Sequence, residues 1–270
     1  NIIIFVTKEA NLYAKYGLDG EVITINGSGI ASKALISGNI DVCPIATPTV
    51  IAANLAGSDM SILAHTMPGV VHALMVKPEI KRVEDLKGKK IAVSSLGSLT
   101  DFLVKSIAKK KGLNPDRDLT FIQMGGDGER IAALKTGVVD AAMMTFPHNI
   151  TAADSGFREL VSFIASDIIQ LQGAIVTREA LLNTESGVVE KFLRATIKGI
   201  IYFSINRGGA VSILARNAQS QETLAAKIYD LVKPALTPEG ILSDELQKRV
   251  MAPLLDRINK RDVATSRFFD

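Results

Sequence analysis

The chain has 270 residues, 47% of them hydrophobic and 22% charged, with a formal net charge of +3 and a single cysteine. That balance is globular and not disordered, its charge is too small and too dispersed for nucleic acid to be the main partner, and no run approaches the roughly 18 apolar residues of a membrane span. Cys43 alone excludes an internal disulfide and reads as a buried, inert thiol in an apolar strand.

The opening, Asn1-Ile2-Ile3-Ile4-Phe5-Val6, lacks the charged start and small-residue cleavage site of a signal peptide, so the expectation is a cytoplasmic protein or one whose signal is already gone. Periodicity predicts a helix over 5–16 and a strand over 21–25, then helix 30–37, strand 42–46, helix 49–55 and strands 62–64, 73–76 and 90–93. Next come helix 99–111, strand 119–123, helix 129–136, strand 141–144, helix 149–155 and strands 161–164 and 173–177. The lysines at 109–111 close a helix, where cations suit the dipole, and read as a solvated end. Beyond Arg178 the character changes to helices at 190–206, 209–218, 221–233 and 243–258. Alternating helices and strands predict parallel sheets covered on both faces.

Gly27 to Pro48 repeats as Gly126 to Pro147, without a gap, at an offset of 126 − 27 = 99 residues. Gly27/Gly126, Gly29/Gly128, Ala34/Ala133, Leu35/Leu134, Gly38/Gly137, Asp41/Asp140 and Pro48/Pro147 coincide. Each copy reads as glycine loop, helix, glycine stop and strand, a unit too long for a solenoid and suited to two similar α/β lobes. Breaks at Lys77-Pro78-Glu79 and Gln172-Gly173 bracket the second copy. They predict residues 1–77 and 173–270 as the first lobe and 78–172 as a second lobe inserted into it, with hinges at the two crossings.

Ligands of open parallel sheets sit beyond the carboxyl ends of strands. That rule selects Ser28, Thr47, Thr49, His65 and Thr66 in the first lobe, and Ser95, Gly97, Ser98, Leu99, Thr100, Gly126, Asp127, Thr145, Phe146 and His148 in the second, together with Ser166 and Asp167. Ser98 or Thr100 can cap the following helix while free N–H groups face an anion. Met67, Met143, Met144 and Phe146 are candidates for an apolar wall, although adjacent Met143 and Met144 point to opposite faces of a strand. Asp41 and Asp140 read as turn residues, and Arg130 as either solvent-exposed or ligand-paired. The three histidines have no metal-ligand spacing, the glycine loops lack nucleotide-binding spacing, and no catalytic motif occurs.

Four stretches carry a family resemblance: residues 10–19 (Ala10-Asn11-Leu12-Tyr13 to Asp19), Leu35-Ile36-Ser37-Gly38-Asn39-Ile40-Asp41, residues 83–93 (Val83-Glu84-Asp85-Leu86-Lys87-Gly88 to Val93) and residues 236–243 (Leu236-Thr237-Pro238-Glu239-Gly240 to Ser243). In that order they resemble the type II periplasmic binding proteins of bacterial transporters, in the branch serving nitrate, sulfonate, taurine and pyrimidine-precursor uptake. The resemblance implies an α/β, two-lobed fold, each lobe a mainly parallel sheet with flanking helices. It implies the substrate-binding component of an ABC importer, capturing a small organic anion or small polar aromatic solute by hinge closure. It further implies a membrane permease as partner, a monomer, no cofactor, no catalysis and a periplasmic or lipid-anchored extracytoplasmic location. A ligand-sensing domain is the alternative, as is a pyrimidine-precursor-type enzyme on the same fold, whose cysteine-rich iron motif is absent with Cys43 alone. Family members begin with a strand ahead of the first helix, and this sequence opens almost at that helix; the strand is either removed, left out or never encoded, and only if the protein itself lacks it does the first sheet lose a central member.

Overall fold

The computed structural model describes residues 2–25, 27–67, 70–164, 173–217 and 220–236. In chain order they form α1 (Ile2–Glu9), α2 (Leu12–Lys15), α3 (Ser28–Ile36), β1 (Val42–Ile45), α4 (Thr47–Leu55), β2 (Met60–Met67), β3 (His72–Val76) and β4 (Lys90–Val93). There follow α5 (Leu99–Lys110), α6 (Pro115–Asp118), β5 (Thr120–Gln123), α7 (Asp127–Lys135), β6 (Ala141–Thr145), α8 (His148–Asp154), β7 (Arg158–Ser162), β8 (Gly173–Arg178), α9 (Glu179–Ile205), α10 (Arg207–Asn217) and α11 (Glu222–Val232). The helix expected over 243–258 and the pair Ser166 and Asp167 lie outside the described residues.

Two expected elements differ. The first helix is broken by Asn11, which takes a left-handed φ of 58°, a region asparagine tolerates better than most residues. Residues 21–25 form no strand: Val22 packs beside Ile4, Tyr13 and Ile175, but Ile23 is 56% exposed. A β-branched run becomes a strand only where a ladder partner receives it. The long helix α9 carries a kink at Glu185 (φ −137°, ψ 41°), so the expected helix over 190–206 is its second part.

The described residues divide into two compact units, one from 2–24, 34–67 and 173–236, the other from 25–33 and 70–164. In the second unit the strand order is β5-β4-β6-β3-β7; in the first it is β1-β8-β2. The expected parallel sense is met only in β5-β4-β6, for β3 runs antiparallel to β6 and β7, and β8 antiparallel to β1 and β2. The cause is the route of the chain. His72 opens β3 opposite Thr145 at the end of β6, and Ala174 near the start of β8 lies opposite Ile45 at the end of β1. A chain arriving at the carboxyl ends of its neighbours must run against them. For the same reason the expected crossing at Lys77-Pro78 falls inside the second unit: β3 is a central member of that unit's sheet, so the chain has passed over before His72.

Apolar faces hold each unit. In the second, Met75, Ala92, Ala142 and Met144 from the sheet pack under Ile131 and Leu134 of α7. In the first, Tyr13 stacks on Phe192 at 5.2 Å between centroids and packs with Ile175 and Ala195. Burial of such side chains contributes roughly 1.5–3 kcal/mol each.

The repeat extends further than sequence identity shows. Gly38 and Gly137 both take a positive φ, 80° and 76°, and both amides close the helix before them, on Leu35 O and Leu134 O at 3.1 Å. Asp41 before β1 pairs with Arg178 at the end of β8 (3.5 Å), and Asp140 before β6 pairs with Lys77 just past β3 (2.6 Å). The strand triplets β1-β8-β2 and β6-β3-β7 therefore correspond, each with the strand entering from the other unit in the middle.

Candidate functional site

In the first unit, Ile45, Ala174 and His65 lie in one row across the sheet, which brings the start of α4 beside the end of β2. Thr47, Thr49, His65 and Thr66, all predicted, are buried there. Thr66 Oγ1 donates to Gly173 O at 3.0 Å, whereas the Thr47 and Thr49 hydroxyls are buried without a hydrogen-bond partner. No side chain caps α4 and no acidic residue enters its first turn, so its amide groups keep their partial positive charge. Burial pushes the His65 imidazole down to about 4, so it is neutral at ordinary pH.

In the second unit, β4, β5 and β6 are parallel, and the loops after them open at one end of the sheet. The loop after β4 is a hydroxyl cluster: Ser94 Oγ lies 3.0 Å from Ser98 Oγ and 2.9 Å from Thr100 Oγ1, and Ser98 Oγ donates to Ser95 O at 2.6 Å. Ser98 occupies the N-cap position of α5 but makes no side-chain cap bond, contrary to the capping role expected of it. Its hydroxyl is turned to Ser95, while Asp101, fully buried in the first turn, accepts from Gly97 N at 3.0 Å and pairs with Lys105 at 3.0 Å. Leu99 and Thr100 are buried, Gly97 is exposed and Ser95 half-buried. Ser28 is half-buried on α3, whose preceding Gly27 lies against Ser94.

A second network surrounds Asp127. Its Oδ1 accepts from Thr145 N and from Arg130 Nη2, both at 2.8 Å, and its Oδ2 stands 3.9 Å from His148 Nδ1. Arg130 is neither exposed nor free for a ligand: it is 2% exposed and donates also to Met143 O at 2.7 Å, Met124 O at 3.3 Å and Gly125 O. It is a clamp joining the loop after β5 to β6. His72 Nε2 lies 3.4 Å from Thr145 Oγ1, and burial, with the Arg130 charge opposing that of Asp127, holds the imidazole down to about 4. Gly126 and Phe146 are half-buried at the same end, and His148 is exposed. Met143 and Met144 form no apolar wall, being wholly buried on the two faces of β6.

Sequence reasoning missed Asp101 and the clamp role of Arg130. Both left a signal, since Ser98-x-x-Asp101 is a capping-box spacing and Asp127-x-x-Arg130 an i,i+3 ion pair. Among the described residues no group of three or more His, Cys, Asp or Glu is placed to hold a metal ion, and no helix is long and apolar enough to cross a membrane.

The family model described as NMT1/THI5 like matches residues 1–206. No curated protein matches the chain. Among solved structures, the alkanesulfonate-binding protein SsuA from Xanthomonas axonopodis pv. citri, bound to MOPS, is 19% identical with a TM-score of 0.83, over 98% of this chain and 93% of that one. The periplasmic aliphatic sulphonate binding protein SsuA from Escherichia coli is 20% identical with a TM-score of 0.75, over 99% and 93%. The periplasmic nitrate-binding protein NrtA from Synechocystis PCC 6803 is 16% identical with a TM-score of 0.71, over 84% and 66%. At these identities the likeness is one of fold, and the fold is that of the periplasmic binding proteins.

Proposed function

We infer that this chain, which belongs to the NMT1/THI5-like family, is the solute-binding component of an ABC importer, taking a small organic anion or small polar aromatic solute and delivering it to a membrane permease. The observation that carries the reading is the pair of buried, unpartnered hydroxyls of Thr47 and Thr49 in the uncapped first turn of α4. Leaving buried hydroxyls unpaired costs about 1–3 kcal/mol each, a cost that a bound solute removes. An anionic group suits this turn better than that of α5 or α7, whose first turns already hold Asp101 or Asp127 and Glu129. The similar structures named for alkanesulfonate, sulphonate and nitrate binding support an anion of that kind. An extracytoplasmic location and hinge closure on the solute complete the reading.

Material released from natively purified protein is identified by mass spectrometry, and a thermal-shift panel of sulfonates, carboxylates, nitrate and pyrimidines is run beside it. A solute at a hundred times its Kd stabilises the fold by about 2.7 kcal/mol. Replacing both Thr47 and Thr49 by valine should leave stability equal or better, because no bond is lost, while weakening binding at least tenfold, or about 1.4 kcal/mol. Repeated chemical conversion of the solute would refute the transport reading, and undiminished affinity of the valine variant would remove α4 from the site.

A further inference from the structure

In the second unit His72 and Thr145 stand opposite each other where β3 meets β6, and directly opposed residues of antiparallel strands place their side chains on one face. That face is turned away from α7, because Ala73 and Met75 of β3 and Ala142 and Met144 of β6 pack with Ile131 and Leu134 of that helix. The imidazole Nε2 lies 3.4 Å from Thr145 Oγ1, and either atom could donate. His72 Nδ1 is buried and has no partner among the described residues.

The two tautomers are therefore unequal. Burial keeps this ring neutral, so it carries one N–H. On Nδ1 that hydrogen would be a buried donor with nothing to meet, which folded proteins rarely keep, whereas an unpaired lone pair is tolerated more often. On Nε2 the hydrogen meets Thr145 Oγ1 and leaves only the Nδ1 lone pair unpaired. A threonine hydroxyl that accepts from the ring must turn its own hydrogen elsewhere. Among the described residues nothing else bonds Thr145 Oγ1, and the Thr145 amide is already given to Asp127 Oδ1. The hydroxyl hydrogen is thus the one donor still on offer, from a half-buried residue at the carboxyl end of β6. We propose that His72 is a positioning residue: it fixes Thr145 as a hydroxyl donor toward the solute, and so favours a solute that presents an acceptor oxygen here over one that presents an N–H or O–H. The role in selection rests on the solute-binding reading; the state of the pair does not.

The first test needs no solute. Nitrogen NMR spectra of the three histidine rings at neutral pH distinguish the tautomers, and His72→Gln, His65→Gln and His148→Gln assign the signals by their loss, so the assignment does not hang on one variant folding. The expected result is a neutral His72 ring protonated on Nε2, whose signal moves in Thr145→Val because the N–H has lost its acceptor. Protonation on Nδ1 overturns the proposal, as does an Nε2 signal that Thr145→Val leaves in place. The second test is calorimetric titration with methanesulfonate, an anion that offers only acceptor oxygens. A free hydroxyl rotor has three staggered positions, so holding one of them is worth up to about threefold in affinity. His72→Phe should weaken binding by about that factor, His72→Gln, which keeps a side-chain N–H, should recover most of it, and in a Thr145→Val background His72→Phe should have no further effect. An equal effect of His72→Phe with and without the Thr145 hydroxyl overturns the positioning role. If the unaltered protein binds no methanesulfonate, that failure belongs to the anion reading, and the nitrogen spectra alone decide the state of His72.

Discussion

Replacing Arg130 with methionine keeps much of its length and removes every donor it offers. In the folded protein those donors serve three carbonyl groups, of Met143, Met124 and Gly125, and the Asp127 carboxylate, all from a side chain 2% exposed to solvent. Removing one partner of a buried ion pair costs about 3–5 kcal/mol, because the remaining charge is left without compensation. The carbonyl groups add to this only in part, since Asp127 is 17% exposed and keeps some access to water. The expectation is therefore a loss of about 3–5 kcal/mol, measured as the shift in urea midpoint at constant slope. Asp127→Asn should lessen it, since the amide oxygen still accepts from Thr145 N, and the two substitutions together should lose less than the sum of each alone. A cost below about 1 kcal/mol for Arg130→Met, or strict additivity, would refute the clamp.

The repeated glycines answer differently to alanine. Both take the left-handed region and bear the strain of about 1–2 kcal/mol, but Gly137 faces open space whereas a Cβ at Gly38 would stand 2.5 Å from Arg178 Nη1, so Gly38→Ala should also loosen the Asp41–Arg178 pair and cost more in thermal denaturation. Equal costs would mean that Arg178 moves aside freely. His65 and His72, held at about 4 when folded and near 6.5 when unfolded, bind fewer protons folded than unfolded between those values. Stability is thus full above pH 6.5 and falls with acid toward pH 4, by at most about 1.4 kcal/mol per pH unit for each histidine. The double glutamine variant should flatten urea midpoints between pH 6.5 and 5; an unchanged slope would assign the dependence to other groups.

What could be read from the chain and what could not separate along the line between local and long-range physics. Gly38 and Gly137 were legible because a helix stop needs a residue that tolerates positive φ, and that need is local. The run at 21–25 was misread because a ladder partner is not local, and no described strand receives it. The sense of β3 and β8 depends on where the chain re-enters, information that no window around either strand contains. At the candidate site, position at a strand end found Thr47, Thr49 and Thr145 through topology alone. Orientation was beyond that rule: nothing in the order of residues distinguishes Ser98 turned to Ser95 from Ser98 turned to its own helix, or an arginine consumed by carbonyl groups from one offered to solvent.

The exchange of middle strands has a consequence for biosynthesis. During translation the sheet of the second unit can be completed as soon as Ser162 has emerged, because all five of its strands lie between His72 and that residue. Among the described residues of the first unit, β1 and β2 have only β8 to join them, and about a hundred residues separate the end of β2 at Met67 from Gly173. At about 5–20 residues per second, two short apolar strands wait some 5–20 seconds with their edges unpaired. The half made first is thus the half finished last. That interval is when nascent chains expose sticky edges to one another, and it is where a holding chaperone would act. Moving the chain ends by circular permutation so that residues 173–236 precede residue 34 would abolish the delay while leaving every strand pair of the first sheet available.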